Sequence, residues 1–373
     1  MSHNFIKKFK THYNVDDRLD NPKEWLIINS VFDIELPISK DIKNIWVISD
    51  GESHYGFGEL FSEPFENFKG KIYFSGNYHC KQRIIKHHNY EIHLHPLGYQ
   101  PFSTFDFSYE FEALFEGEDG DEPIYFDVNS TGEHQIKKKE HLVTFLGFRH
   151  DVYRDYVYTK LAEMNLVRNT AYHSWHKEND ELTFSKKKDW KKLGIDDSYD
   201  YYKSIQFSLP KKLDFNEFTN YNMFINSIQS ISRGIFNIVF ETQTDFENIE
   251  LLDEHKFISL TEKSCFPFWS QSIPLFIHDD TELLASYFTE MGFDLFMDML
   301  GDDFYKNKPI IEQIKNIISF IDDINSKYTI EQLNINTHKR LLENKTLATS
   351  IQKGNSYTLS NHINTIISEK SLI

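Results

Sequence analysis

Short apolar runs broken by turn-forming residues dominate the beginning of the chain. Residues 24–32, 45–49, 71–75 and 90–95 are rich in β-branched and aromatic side chains, which predicts strands. An acidic stretch, Gly117 to Pro123, reads as a loop, and residues 130–139, polar and containing Gly132, read as a linker. From His141 the rhythm changes. Residues 142–146 have the character of a buried strand, a loop follows through Gly147, Arg149 and His150, and a helix begins near Val152. Tyr153, Val157, Leu161 and Met164 recur along it at helical spacing. Residues 215–231 predict another helix, and 236–240 a strand that is apolar except for Asn237. A capped helix start at Thr261, a strand over 273–277 and a helix from Thr281 stopped by Gly292 complete the alternation. Strands separated by helices predict a parallel sheet, with ligand sites at the carboxyl ends of its strands.

Beyond that region, Ile310, Ile311, Ile314, Ile317, Ile318, Ile321 and Ile324 mark one face of a helix over 308–325. Residues 333–347 also read as helical, and the polar tail from Lys353 reads as loosely held. No internal repeat is visible.

Composition narrows the function classes. The chain has 373 residues and is 40% hydrophobic and 16% aromatic, enough for a large core and for two domains. Its formal net charge of −17 opposes nonspecific binding to nucleic acid, which needs a basic surface. Two cysteines, Cys80 and Cys265, are too few for a disulfide framework and suit a reducing compartment. Residues 1–13 lack the apolar core of a secretory leader, and no apolar run reaches the ~20 residues of a membrane helix. A cytoplasmic protein without a membrane span is the expectation.

The segment Phe257-Ile258-Ser259-Leu260-Thr261-Glu262-Lys263 carries the most chemistry. Thr261 has the side chain of a helix cap, Glu262 suits the positive end of a helix, and Lys263 adds a cation where an anion is already favoured. Together they could hold the diphosphate of a nucleotide sugar, with Glu262 accepting from ribose hydroxyls; an ordinary capped helix with a solvated acid–base face fits the same spacing. Pro267 makes that helix irregular early on. Glu241 ends a buried strand, either as an acid facing a ligand or as a strand-terminal residue in water. His79, His87, His88, His93 and His95 cluster with Cys80, but lack tight metal-ligand spacing, so no metal is expected. The aromatic-dense stretches 65–68 and 102–111 read as core. Gly-rich phosphate loops, the lipase Gly-x-Ser-x-Gly and kinase signatures are absent.

Val239-Phe240-Glu241, then Phe257 to Lys263, then Ile273-Pro274-Leu275 follow one another in an order and spacing that resembles the α-1,3-fucosyltransferase family. The segment Phe145 to Arg154, with Arg149 and Arg154, and Gly292-Phe293-Asp294-Leu295-Phe296 are similar to stretches of related phage- and virus-type glycosyltransferases. The likeness spans 141–323. It departs at Thr242-Gln243, where the family has Asn-Ser, at the aromatic position before Thr261, and at Tyr153, where a His is common.

The resemblance implies an α/β fold of two Rossmann-like domains in the GT-B arrangement. Residues 1–138 would form an acceptor-side domain, 139–305 a nucleotide-sugar-binding domain, and 306–373 helices packing across the interface. It implies an inverting, metal-independent glycosyltransferase that moves a sugar from a nucleotide-diphosphate donor, as co-substrate, to a glycan or other hydroxyl acceptor. Arg154 and Lys263 would neutralise the diphosphate, with Arg149 assisting, Thr261 capping the helix at the donor, Glu262 on the ribose and Glu241 facing the donor. The general base would come from the first domain, where Glu52 or Asp50, after the strand at 45–49, are the candidates. A non-catalytic viral or phage accessory protein on the same scaffold is the rival reading, and a nucleic-acid-modifying transferase is disfavoured by the charge.

Overall fold

The computed structural model describes residues 19, 21–28, 38–48, 57–58, 60–61, 65–76, 78–80, 82–96, 139–147, 151–166, 170–174, 185–205, 230–241, 257–260 and 262–354. The strands are β1 (Trp25–Ile28), β2 (Asn44–Ile48), β3 (Lys71–Gly76), β4 (Tyr78–Cys80), β5 (Ile84–His87), β6 (Tyr90–Pro96), β7 (His141–Gly147), β8 (Thr170–Ser174), β9 (Gly234–Phe240), β10 (Phe257–Ser259) and β11 (Ile273–Ile277). The helices are α1 (Val152–Glu163), α2 (Lys187–Lys192), α3 (Tyr199–Ile205), α4 (Phe266–Trp269), α5 (Thr281–Glu290), α6 (Met297–Leu300), α7 (Ile310–Lys327) and α8 (Ile330–Gly354). This is a mixed α/β protein built on parallel sheets. Among the described residues no helix is long and apolar enough to cross a membrane.

The chain divides into two units. The first comprises Met1–Asp127, Thr244–Glu262 and Ser350–Ile373. Its main sheet has the order β1-β2-β3-β6-β5, with β1, β2, β3 and β6 parallel and β5 returning antiparallel along β6. β1, β2 and β3 carry buried apolar or aromatic side chains on both faces, as the strands of a parallel sheet do, whereas β6 alternates these with Glu91 and His93. Ile45, Val47, Ile72, Phe74, Ile92 and Leu94 join Phe57, Leu60, Phe65 and Phe68 in one core. On the other face Trp46 is buried and its indole N–H donates to Ser75 Oγ at 3.0 Å, while Trp25 stacks on Tyr73. Tyr90 donates its hydroxyl to Leu60 O at 2.6 Å. Burial there, with Glu66 adding to it, pushes the phenol up to about 12. The short strand β10 pairs antiparallel with β4, so residues just before Thr261 belong to this unit.

The second unit comprises Val128–Gln243 and Lys263–Thr349. Its sheet runs β11-β9-β7-β8 and is parallel throughout. Alternate side chains of a strand point to opposite faces. Phe236 meets Phe320 of α7 at 5.2 Å between ring centroids, which places α7 on one face, and α7 packs on α1. Phe276 stacks on Phe288 of α5 at 5.4 Å, which places α5 on the other. Within the sheet Thr144 Oγ1 donates to Asn237 Oδ1 at 3.1 Å, which satisfies the one polar side chain that interrupts the β9 run. After α5, Gly292 turns the chain at φ 93°, a conformation open to glycine at little cost.

The chain enters this sheet at β7, adds β8 on one side, then returns to place β9 on the other side of β7. Strand order reverses between β7 and β9. At such a reversal the connections at the carboxyl ends diverge to opposite faces and leave a crevice.

Two expectations change. Lys139, counted from sequence in a polar linker, is buried. The segment expected to begin a helix at Thr261 is a single 3₁₀ turn, Glu262–Ser264, followed by the one-turn helix α4 with Pro267 as its second residue. Pro267 has no amide N–H to bond the Lys263 carbonyl, so the 3₁₀ turn does not continue into α4 as one helix. A turn of three residues has little macrodipole, so the electrostatic argument for an anion there rests on Lys263 itself. The helix expected over 215–231 lies almost wholly outside the described residues.

Candidate functional site

The carboxyl ends of β7 and β9 bring together Arg154, Phe240, Glu241 and the turn that carries Lys263. Arg154 stands in the first turn of α1, and that turn is fixed by Asp151. The Asp151 side chain caps the helix by accepting the Arg154 backbone N–H at 2.8 Å. Its second oxygen pairs with Arg154 Nη1. One carboxylate therefore holds both the backbone and the side chain of the same residue. The guanidinium carbon lies 5.3 Å from the centroid of the Phe240 ring, within the range of a cation–π contact. Phe240 is itself backed by Phe145 of β7 at 5.8 Å.

These contacts leave the guanidinium incompletely satisfied. Its Nε is buried and has no hydrogen-bond partner among the described residues. The Arg154 side chain is 15% exposed. Buried N–H groups in folded proteins are nearly always paired, and this one lies at the carboxyl edge of a parallel sheet, where ligands of such sheets commonly bind.

Glu241 follows β9 directly and is buried rather than a strand-terminal carboxylate in water. It accepts the backbone N–H of Ser264 at 3.1 Å and a hydrogen bond from the Ser264 hydroxyl. Hydrogen bonds to an ionised acceptor are stronger than neutral ones. Glu241 thus anchors the Glu262–Ser264 turn to the end of β9, and Lys263, partly buried, is fixed by the same grip one residue away. Ser264 was not identified from sequence; its only signal was its position directly after Lys263.

The Glu262 backbone lies in the turn, and its side chain is outside the described residues. Glu52, Asp50, Arg149 and Thr261 also lie outside the described residues.

A further residue at this edge, His278, follows β11, in line with the end of β9. Gln313 of α7 clamps its backbone, accepting the His278 N–H at 3.2 Å and donating to its carbonyl at 2.8 Å. Its ring Nδ1 accepts the Asp280 backbone N–H at 2.9 Å, which in the neutral ring puts the proton on Nε2.

Behind the site, a buried network holds α1 in place. Asp155 accepts from the hydroxyls of Ser185 at 2.6 Å and Tyr202 at 2.8 Å, and Trp190 Nε1 donates to Ser185 Oγ at 2.8 Å. Burial, reinforced by the Asp155 carboxylate, pushes the Tyr202 phenol far up.

The amino end of the same sheet holds a buried cation. Lys139 Nζ donates to Gly234 O at 2.6 Å, Gln271 O at 2.5 Å and Ser272 Oγ at 3.2 Å, with Ser270 O at 3.4 Å. These oxygens lie at the starts of β9 and β11. Burial pushes the Lys139 amine down to about 7, whereas the surrounding oxygens favour its charged form.

No group of three or more His, Cys, Asp or Glu side chains poised for a metal occurs among the described residues. His93 instead contacts Glu91 at 3.3 Å and the Tyr73 ring at 5.1 Å. Burial pushes the Cys80 thiol up to about 11, opposite to what a thiolate ligand needs. Comparison of the whole chain with protein-family models, with curated proteins and with solved structures finds no match.

Proposed function

We propose that the protein is a glycosyltransferase of fucosyltransferase-like, GT-B type, whose second unit binds the diphosphate of a nucleotide sugar in the crevice between β7 and β9. The observation that carries this reading is the buried Arg154 Nε, which has no acceptor among the described residues, at the reversal of strand order. The Thr-Glu-Lys turn supports it, since Glu241 ties Lys263 to the end of β9, the strand that carries Phe240 beneath Arg154. The second unit's sheet is parallel throughout, and the first unit's is parallel over β1, β2, β3 and β6, which is compatible with two Rossmann-like domains.

In the inverting reaction an acceptor oxygen attacks the anomeric carbon while its bond to the diphosphate oxygen breaks. The acceptor's proton passes to a carboxylate base, a role the family resemblance gives to Glu52 or Asp50. The electron pair of the broken bond stays on the diphosphate. Arg154 and Lys263 stabilise that developing charge, which is where fixed cations lower a barrier most. Glu262 receives the ribose hydroxyls and Arg149 assists at the phosphates. The chemistry calls on no metal, because the two cations do the neutralising.

The rival reading, a binding protein without catalysis, draws on Glu241, whose carboxylate is committed to Ser264. Hydrolysis separates the two. Incubated with GDP-, UDP-, ADP- and CMP-linked sugars and no acceptor, a transferase releases sugar to water from one of them, and Lys263→Ala slows that release. Tight binding of one donor with no release by wild-type protein would establish the binding protein instead.

A further inference from the structure

We infer that Phe240, with Asp151, is a positioning residue that turns the Nε–Nη2 edge of Arg154 toward the ligand, so that the site selects an anion with two oxygens to offer side by side. This inference rests on the anion site proposed above and adds how it is built. A guanidinium presents five N–H donors in a rigid plane. Here Nη1 is engaged by Asp151, and the guanidinium carbon lies over the Phe240 ring, 5.3 Å from its centroid. Nε is buried and has no hydrogen-bond partner among the described residues.

Two supports fix a plane. A carboxylate at one nitrogen sets the rotation of the group within its plane, and an aromatic face beneath sets the tilt. The edge left over carries one N–H from Nε and one from Nη2, parallel to each other. That edge matches two oxygens of one phosphate or carboxylate and distinguishes such a group from a single oxygen or a halide. An ammonium at the same place offers charge but not the fork.

Phe240 is suited to this role by its backbone. It is the last residue of β9, its ring is buried, and Phe145 packs behind it. The platform is therefore part of the sheet, and the arginine belongs to the helix that follows β7.

The test uses the full chain and three variants. Phe240→Met keeps much of the volume and removes the ring, Phe240→Tyr keeps the ring, and Arg154→Lys keeps the charge and removes the fork. Arginine-selective 15N–1H spectra identify the Arg154 Nε–H signal by its loss in Arg154→Lys. In wild type and Phe240→Tyr that signal is displaced by the ring current; in Phe240→Met it returns to the position of a solvated arginine. Titrations with pyrophosphate, GDP and UDP are run in parallel. Phe240→Met weakens the binding of whichever one binds by about tenfold, while Phe240→Tyr stays near wild type. An unmoved Nε–H signal, or equal affinity in Phe240→Met and wild type, overturns the positioning role and leaves the anion site standing. No binding of any of the three by wild type overturns the anion site and this inference together.

Discussion

Two basic side chains, Lys139 buried and Arg154 partly buried, sit at opposite ends of the same four-stranded sheet and are treated differently. At the amino end Lys139 is surrounded by carbonyl and hydroxyl oxygens from the starts of β9 and β11. At the carboxyl end Arg154 is held in orientation by Asp151 and Phe240, yet its buried Nε has no acceptor among the described residues. A charge whose donors are all met is a structural staple. One held in place with a donor unmet is prepared for something that arrives from outside. On the proposed reading, the difference gives stability to one end of the sheet and binding to the other.

The comparison breaks most visibly at Lys139. Lys139→Met removes the ammonium that donates to several buried oxygens, of which Gly234 O keeps the Ser272 hydroxyl as a donor. The expected loss is about 3 kcal/mol of unfolding free energy, read from urea denaturation, with nucleotide binding unchanged in the protein that remains folded. A loss below about 1 kcal/mol would mean that water takes over the role of the ammonium.

A smaller effect sharpens the same point. Burial lowers Lys139 from an ordinary value of 10.5 to about 7. Between those two values the unfolded chain binds more protons than the folded one, so this group makes stability rise with pH from about 7 to 10.5. Below pH 7 the amine is charged in both states and contributes no slope. The stability difference between wild type and Lys139→Met should therefore widen as pH is raised through that window. A constant difference would show that the surrounding oxygens keep the folded amine charged.

Glu241→Gln is expected to have the smallest effect, about 1 kcal/mol, because the amide oxygen still accepts from Ser264 while the charge is lost. Thermal unfolding measures it. Donor binding should weaken only slightly, as the turn carrying Lys263 is loosened but not released. A larger effect on binding than on stability would mean that Glu241 touches the ligand rather than only the turn.

Much of this frame is legible in the chain itself. The strand Ile273–Ile277 is read to the residue, since it is a short apolar run whose neighbours, Ser272 and His278, are polar. The stop of α5 is read from Gly292, and the isoleucines of α7 fall on its buried face at Ile314, Ile317, Ile321 and Ile324. Arg154 is singled out only by the family resemblance, which places an arginine at the start of the helix after a buried strand. What escapes is non-local. Strand β10 exists because it pairs with β4, which lies far back in the chain. Lys139 looks like one more charge in a polar stretch, because the oxygens that bury it come from residues near 234 and 271. The role of Phe240 depends on a ring lying under a guanidinium from another strand's helix, which no pattern within either segment reveals. Proline's effect at Thr261–Pro267 is foreseen, but its outcome, a 3₁₀ turn and a one-turn helix in place of a longer one, needed the three-dimensional setting.

The central claim is that the carboxyl edge of the second unit's sheet is built to receive an oxyanion. Thermal-shift titrations of wild type, Arg154→Lys and Lys139→Met against GDP, UDP, ADP and CMP test it most directly. One nucleotide at about 100 times its dissociation constant should stabilise wild type by about 2.7 kcal/mol. The same nucleotide should stabilise Lys139→Met equally, from a lower starting temperature, and Arg154→Lys hardly at all. An equal shift in Arg154→Lys and wild type, or no shift with any nucleotide from folded wild-type protein, would contradict the claim.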